Sequence, residues 1–267
     1  MNSSKHASII YIPHGGGPLP LLSEEGYEKM NPFLRGLSAT IPEPEAIVVI
    51  SAHWEESVVS ITAHKNPPML FDYYGFPPES YEYEYPAPGR PRLASRIQAM
   101  LGTAGIESRL DYERGFDHGV FIPLMLMYPV ADIPCIQISL SISLDAAFHV
   151  ALGRALAPLK KENLLILGSG FSFHNMQAMM SRQDNSIDEK NRLFEDWLAK
   201  TCSDPDLELS EREQRLIEWD RAPHARYCHP REEHLLPLQV CFGMARTTAT
   251  TVFQDVVSGF ITSAYRW

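Results

Sequence analysis

The chain has 267 residues, 45% hydrophobic and 21% charged, with a formal net charge of −10, the proportions of an ordinary globular protein that can bury a large core. With no lysine or arginine block, the negative balance argues against nucleic acid or an anionic membrane as the main partner, and no apolar run is long enough to span a membrane. The stretch from Met1 to Ala7 leads almost directly into an apolar run and has no room for a signal peptide, so a cytoplasmic location is expected.

Ser8 to Pro13 reads as a buried strand ending at His14-Gly15-Gly16-Gly17. Ser23-Glu24-Glu25 is expected to start a helix that ends before Pro42. A second strand follows over 46–52, ending at His53-Trp54, and Ser60 to His64 is a short third. Phe71 to Gly89 is rich in aromatics, prolines and glycines without a clear period. It reads as a long loop, either a cover over the sheet or one wall of an aromatic substrate pocket.

A helix starts near Pro91 with Leu93, Ile97 and Leu101 on one face, and Glu107 to Leu110 is a weak strand. Phe121 to Met127 reads as a helix, Ile133 to Leu140 as a strand, Ala146 to Leu159 as a helix and Leu164 to Leu167 as a strand. That last strand leads through Gly168-Ser169-Gly170 to His174. Asp188 to Lys200 is an amphipathic helix, and Glu208 to Asp220 an exposed one. Glu233 to Phe242 is a final core helix with His234 in its first turn, and Thr247 to Val257 a last strand or hairpin. The alternation predicts one α/β domain over 1–267, with a mostly parallel central sheet flanked by helices.

In such a sheet ligands bind beyond the carboxyl ends of the strands. His14, His53 and His174 all fall at strand ends, so a metal site is the first hypothesis. His234 would be costly to bury without a partner and is a further ligand candidate. His118 follows Asp117, which could fix its tautomer. His6, His64 and His149 read as surface or supporting residues, and His229 as a loop residue before a helix. Cys135, Cys202, Cys228 and Cys241 show no CxxC spacing and are expected to be reduced, with no ligand role favoured for Cys228.

Several stretches, in order along the chain, carry a family resemblance. They include Pro13-His14-Gly15, Ser51-Ala52-His53-Trp54, Phe71-Asp72-Tyr73-Tyr74-Gly75-Phe76-Pro77, Gly115-Phe116-Asp117-His118-Gly119, His174-Asn175 and Pro230-Arg231-Glu232-Glu233-His234-Leu235-Leu236-Pro237-Leu238. The sequence resembles the catalytic-subunit family of class III extradiol ring-cleavage dioxygenases. Within it, the chain is most similar to the single-subunit branch of 4,5-DOPA extradiol dioxygenase-like proteins.

The resemblance implies a non-haem Fe(II) enzyme that opens a catechol-type ring with O₂ to a semialdehyde product. It carries two metal ligands over to His14 and His53 and the third to His234, where this branch has histidine in place of the usual glutamate. His174 matches an acid/base position and lies close enough to the metal in this branch to be a ligand as well. His118 is implied as a second catalytic group, hydrogen-bonding oxygen or donating a proton. Tyr73 and Phe76 would line the substrate site, and Arg114 or Arg226 would meet a substrate carboxylate. An all-histidine site also suits Zn(II), which can occupy it in purified protein without excluding iron catalysis. A homo-oligomer is compatible with this sequence.

Two other classes are weighed against this reading. A zinc-dependent hydrolase could use the same histidines, with Glu232 or Glu233 as general base. A non-enzymatic binding relative is the other, but a pure scaffold gains nothing from keeping His14, His53, His118, His174 and His234 together.

Overall fold

The runs read as buried strands are strands in the computed structural model, which describes residues 6–23, 25–181 and 188–267. In chain order the elements are β1 (Ser8–Pro13), α1 (Leu19–Leu22), α2 (Met30–Leu37), β2 (Ala46–Glu56), β3 (Val59–Thr62), α3 (Pro91–Thr103), β4 (Ser108–Asp111), α4 (His118–Met127) and β5 (Cys135–Ser141). There follow α5 (Ala146–Leu156), β6 (Leu164–Gly170), α6 (Met176–Ser181), α7 (Glu189–Ser203), α8 (Leu209–Ile217), α9 (Ala225–Cys228), α10 (Leu236–Ala245), β7 (Thr250–Val257) and β8 (Phe260–Arg266).

The eight strands form one sheet in the order β4-β3-β5-β2-β6-β1-β8-β7. Its centre, β5-β2-β6-β1, is parallel throughout. These strands are covered on both faces, so they read as continuous apolar runs rather than alternating ones. Ile9 to Ile12, Ala46 to Ile50 and Leu164 to Leu167 are all buried. Antiparallel pairing appears only toward the edges, where β3 meets β5 and where the β7–β8 hairpin meets β1. Helices α5 and α10 pack on each other against the sheet with α3 beside α5, while α2 and α4 form a separate packed pair. No helix among the described residues is long and apolar enough to cross a membrane.

Register positions the site. Pro13 pairs with Gly170, and Ser51 pairs with Ser169, so the carboxyl ends of the three central strands lie level. Residues just beyond them are thereby brought together.

Several boundaries differ from expectation. Glu24 lies outside the described residues, as do Met1 to Lys5 of the amino-terminal stretch read for targeting. The helix expected from Ser23 begins only at Met30. Gly26 takes a left-handed conformation (φ +79°) and its carbonyl accepts a hydrogen bond from the Ser258 amide at 2.8 Å. A contact from the far end of the chain thus holds this segment as a turn.

β2 runs on to Glu56, so His53 lies within a strand whose pairing to β5 is irregular between Ile50 and Glu55. The last core helix starts at Leu236, because Pro237 is tolerated only in a first turn. His234 therefore sits in the turn before it. The hairpin's second strand, β8, is not evident in the sequence pattern. Helix α8 buries Arg212 and Leu216, and His149 is wholly buried. The four cysteines are free and buried.

Candidate metal centre

Each of three elements delivers one imidazole to a common point. His14 follows β1, and its amide extends the ladder to the Gly170 carbonyl at 3.1 Å. His53 comes from the irregular part of β2. His234 is held by its backbone carbonyl, which accepts from the Phe171 amide (3.1 Å) and the buried Tyr11 hydroxyl (2.9 Å). Gly170 is required here, since a Cβ would run into that carbonyl.

The Nε2 atom of His53 lies 3.0 Å from that of His14 and 3.2 Å from that of His234. The far sides of two of these rings fix which nitrogen carries the proton. Nδ1–H of His14 donates to Ser169 Oγ at 3.0 Å, because that hydroxyl itself donates to the Gly119 carbonyl. Nδ1–H of His234 donates to Glu233 Oε1 at 2.9 Å, and Nδ1 of His53 faces Asp72 at 3.6 Å. The Nε2 lone pairs of His14 and His234 therefore both face Nε2 of His53.

Such lone pairs repel unless a proton or a cation lies among them. Protonation is disfavoured: burial and then neighbouring imidazoles push His14 and His53 well below the ordinary histidine range and His234 down to about 3. Neutral imidazoles with their second nitrogen tied to an oxygen are good ligands for a borderline divalent metal. The His14, His53 and His234 donor set fits such an ion.

A further set of groups surrounds this triad. His118, the first residue of α4, sits with its ring centroid 3.8 Å from that of His53. The sequence suggested Asp117 as the carboxylate that fixes it, but Asp72 does so, accepting from Nδ1 at 2.8 Å and from the backbone amide at 2.9 Å. Asp117 points away, toward Ser51, Gln137 and Arg114.

His174 stacks on His234 with centroids 3.4 Å apart and donates Nδ1–H to the same Glu233 oxygen at 3.0 Å. Burial alone would raise the Glu233 carboxyl, yet these two hydrogen bonds hold it well below the usual carboxylate range. Arg231 adds a longer contact to Glu233 and pairs with Glu55.

The aromatic loop covers one side. Tyr73 is buried, donates its hydroxyl to the Ser80 carbonyl at 2.5 Å and lies 5.9 Å from the His118 ring. Phe76 packs edge-on against Tyr73 and borders Gly17 of the glycine run after His14. Arg114 is directed at Asp117 (3.1 Å) and the His53 carbonyl (3.0 Å), with its guanidinium over Trp54. Arg226 pairs with Glu232 and lies over Trp219. His229 is buried apart from the cluster, donating to the Ser172 carbonyl at 2.7 Å.

Asp72, Ser51, Ser169 and the double role of Glu233 were missed from the sequence. A signal existed for the serines. Each interrupts the apolar end of a central strand, where an unpartnered hydroxyl would be costly.

An open α/β sheet that gathers three imidazoles near the carboxyl ends of its central strands defines an α/β protein with a candidate metal centre. Residues 3–263 match the family described as the catalytic LigB subunit of aromatic ring-opening dioxygenase. The chain is 39% identical over 260 residues to dioxygenase tasH of Hapsidospora irregularis, covering 90% of this chain and 78% of that protein. It is 37% identical over 239 residues to a 4,5-DOPA dioxygenase extradiol of Beta vulgaris, covering 88% and 86%. It is 34% identical over 242 residues to the Escherichia coli protein of the same name, covering 90% and 86%. The crystal structure of an uncharacterized Escherichia coli K12 protein superposes with a TM-score of 0.78 at 29% identity, covering 98% of this chain and 99% of that one. The chain belongs to the LigB family of class III extradiol dioxygenases and is an aromatic ring-opening dioxygenase.

Proposed function

We propose that the protein opens a catechol-type ring with O₂, beside the diol, to a semialdehyde product, and that it needs Fe(II) held by His14, His53 and His234 to do so. The observation that carries this reading is the convergence of three Nε2 atoms within 3.0 to 3.2 Å of their neighbour, with Nδ1 of His14 and His234 committed to oxygen acceptors. Bound Fe(II) supplies open, redox-active positions at which a catecholate and O₂ meet. Zn(II) fits the same donors and can occupy the site in purified protein. The names of the relatives, several of them 4,5-DOPA dioxygenases, favour a substituted catechol.

His174 acts as general base on a catechol hydroxyl through Nε2, since its Nδ1 proton is held by Glu233. Glu233 keeps the ring oriented and stabilises its charged form once the proton arrives. His118 stands on the other side of the triad, fixed by Asp72 in the same tautomer, and hydrogen-bonds oxygen or returns a proton. Tyr73 and Phe76 form the aromatic wall that packs on the substrate ring and keeps water out. The carboxylates weighed as a hydrolase's base are both engaged, Glu232 by Arg226 and Glu233 by two imidazoles and Arg231.

Loading the metal-free protein anaerobically with Fe(II) and screening a panel of catechols in air tests the reading. Yellow ring-opened product that depends on Fe(II) is expected. No product from any catechol, together with ester or amide hydrolysis by the Zn(II) form, would overturn it.

A further inference from the structure

Buried Asp117 occupies the N-cap position of α4, where an aspartate ordinarily accepts hydrogen bonds from the first amides of its helix. Here the side chain makes no such bond. It turns back under β2, into the stretch where pairing with β5 is interrupted between Ile50 and Glu55. Buried backbone groups that lose ladder partners must find others.

The His53 amide donates to Ser51 Oγ at 3.1 Å, and that hydroxyl donates to Asp117 Oδ1 at 2.8 Å. The His53 carbonyl accepts from Arg114 Nη2 at 3.0 Å, and the same nitrogen donates to Asp117 Oδ2 at 3.1 Å. The circuit is closed: both backbone groups of His53 are tied to the two oxygens of one carboxylate. Gln137 donates to Oδ2 from the neighbouring strand, and the Arg114 guanidinium lies 4.8 Å over the Trp54 ring, fixing the next residue as well. Gly119 fits against this circuit because a Cβ there would run into Ser51 Oγ.

We infer that Arg114, Asp117 and Ser51 are positioning residues that lock the backbone of His53 and so set the aim of its imidazole into the metal site. This rests on the metal reading above. Irregular strand segments re-aim side chains near active sites, and this one is held by a charged pair rather than by its sheet. Arg114 serves both acceptors from Nη2 while its flat guanidinium lies over the Trp54 ring, a placement that a flexible lysine ammonium does not reproduce.

The test is Co(II) titration of the metal-free full chain, followed by its visible spectrum, with thermal melting of each metal-free variant. Ser51→Ala keeps the Arg114–Asp117 pair and removes the two hydrogen bonds that link the His53 amide to Asp117 Oδ1. Arg114→Lys and Asp117→Asn remove the other links. Arg212→Met removes a buried arginine that hydrogen-bonds the carbonyls of Thr201, Asp204 and Leu207, away from the site, and measures plain destabilisation.

Loss of an outer partner of a metal ligand typically weakens metal binding by about 10–100-fold. That loss and an altered Co(II) spectrum are expected in Ser51→Ala and Arg114→Lys, with Arg212→Met binding as wild type despite a lower melting temperature. Wild-type affinity and spectrum in Ser51→Ala would overturn the inference, as would equal weakening in Arg212→Met. Failure of wild type itself to bind Co(II) would instead strike the metal reading.

Discussion

His14 is buried, is pushed well below the ordinary histidine range and holds its Nδ1 proton on the side away from the cluster. His14→Ala should lose bound metal by elemental analysis while its far-ultraviolet spectrum stays that of the wild type. Near-stoichiometric metal in that variant would remove His14 from the ligand set. His118 and His174 are expected to behave differently, because neither belongs to the His14, His53 and His234 set. Replacing either with Phe keeps a ring but no basic nitrogen, and should slow ring opening by about 10²–10⁴ with metal retained. Metal content and single-turnover rates on both variants check this; lost metal in His174→Phe would make it a ligand. The imidazoles were legible because each stands at the end of an apolar run or ahead of a core helix. Their partners were not, because hydrogen bonding joins residues far apart in sequence. Asp117 adjoins His118 yet faces away, whereas Asp72 reaches it across 46 residues.

Among the elements, the central parallel strands were readable because burial on both faces leaves a continuous apolar signature. The start of α2 was hidden, since the turn before it depends on Ser258 at the other end of the chain. Strand β8 was also hidden, although it pairs with β1 and supports the site from the side. Its first residue, Phe260, stacks on Phe173 with centroids 3.9 Å apart and planes 10° from parallel, next to His174 in sequence. Both rings are buried, so Phe260→Ala should cost about 3–5 kcal/mol of stability by urea denaturation. It should also slow turnover more than it weakens metal binding, because the loosened segment carries His174 and not His14 or His53. An equal loss of metal affinity would show that the hairpin supports the whole triad.

For the whole molecule, buried titratable groups give the metal-free protein an unusual pH dependence. His229 and His234 are held down to about 3, chiefly by burial, with His14 and His53 also well below normal. The unfolded chain then binds more protons, so their stability is present above the normal histidine range near 6.5 and lost as pH falls toward 3. Glu195 works in the opposite sense. Burial raises it from 4.5 to about 7, only partly offset by hydrogen bonds from Ser172 and Ser263. Its contribution is present below 4.5 and lost as pH rises through about 7. Glu195→Gln should therefore gain on wild type between pH 5 and 8, by up to about 3 kcal/mol; parallel urea midpoints at the two pH values would contradict this.

The central claim is that these imidazoles hold a metal at which O₂ and an aromatic diol combine. Its most direct test is the reaction of the Fe(II)-loaded protein and a catechol that it turns over under isotopically labelled O₂, with mass spectrometry of the product. The account predicts both labelled oxygen atoms in one ring-opened molecule, and none of that product from the His53→Ala variant treated identically. A product carrying oxygen from water alone, or unchanged yield from His53→Ala, would contradict it.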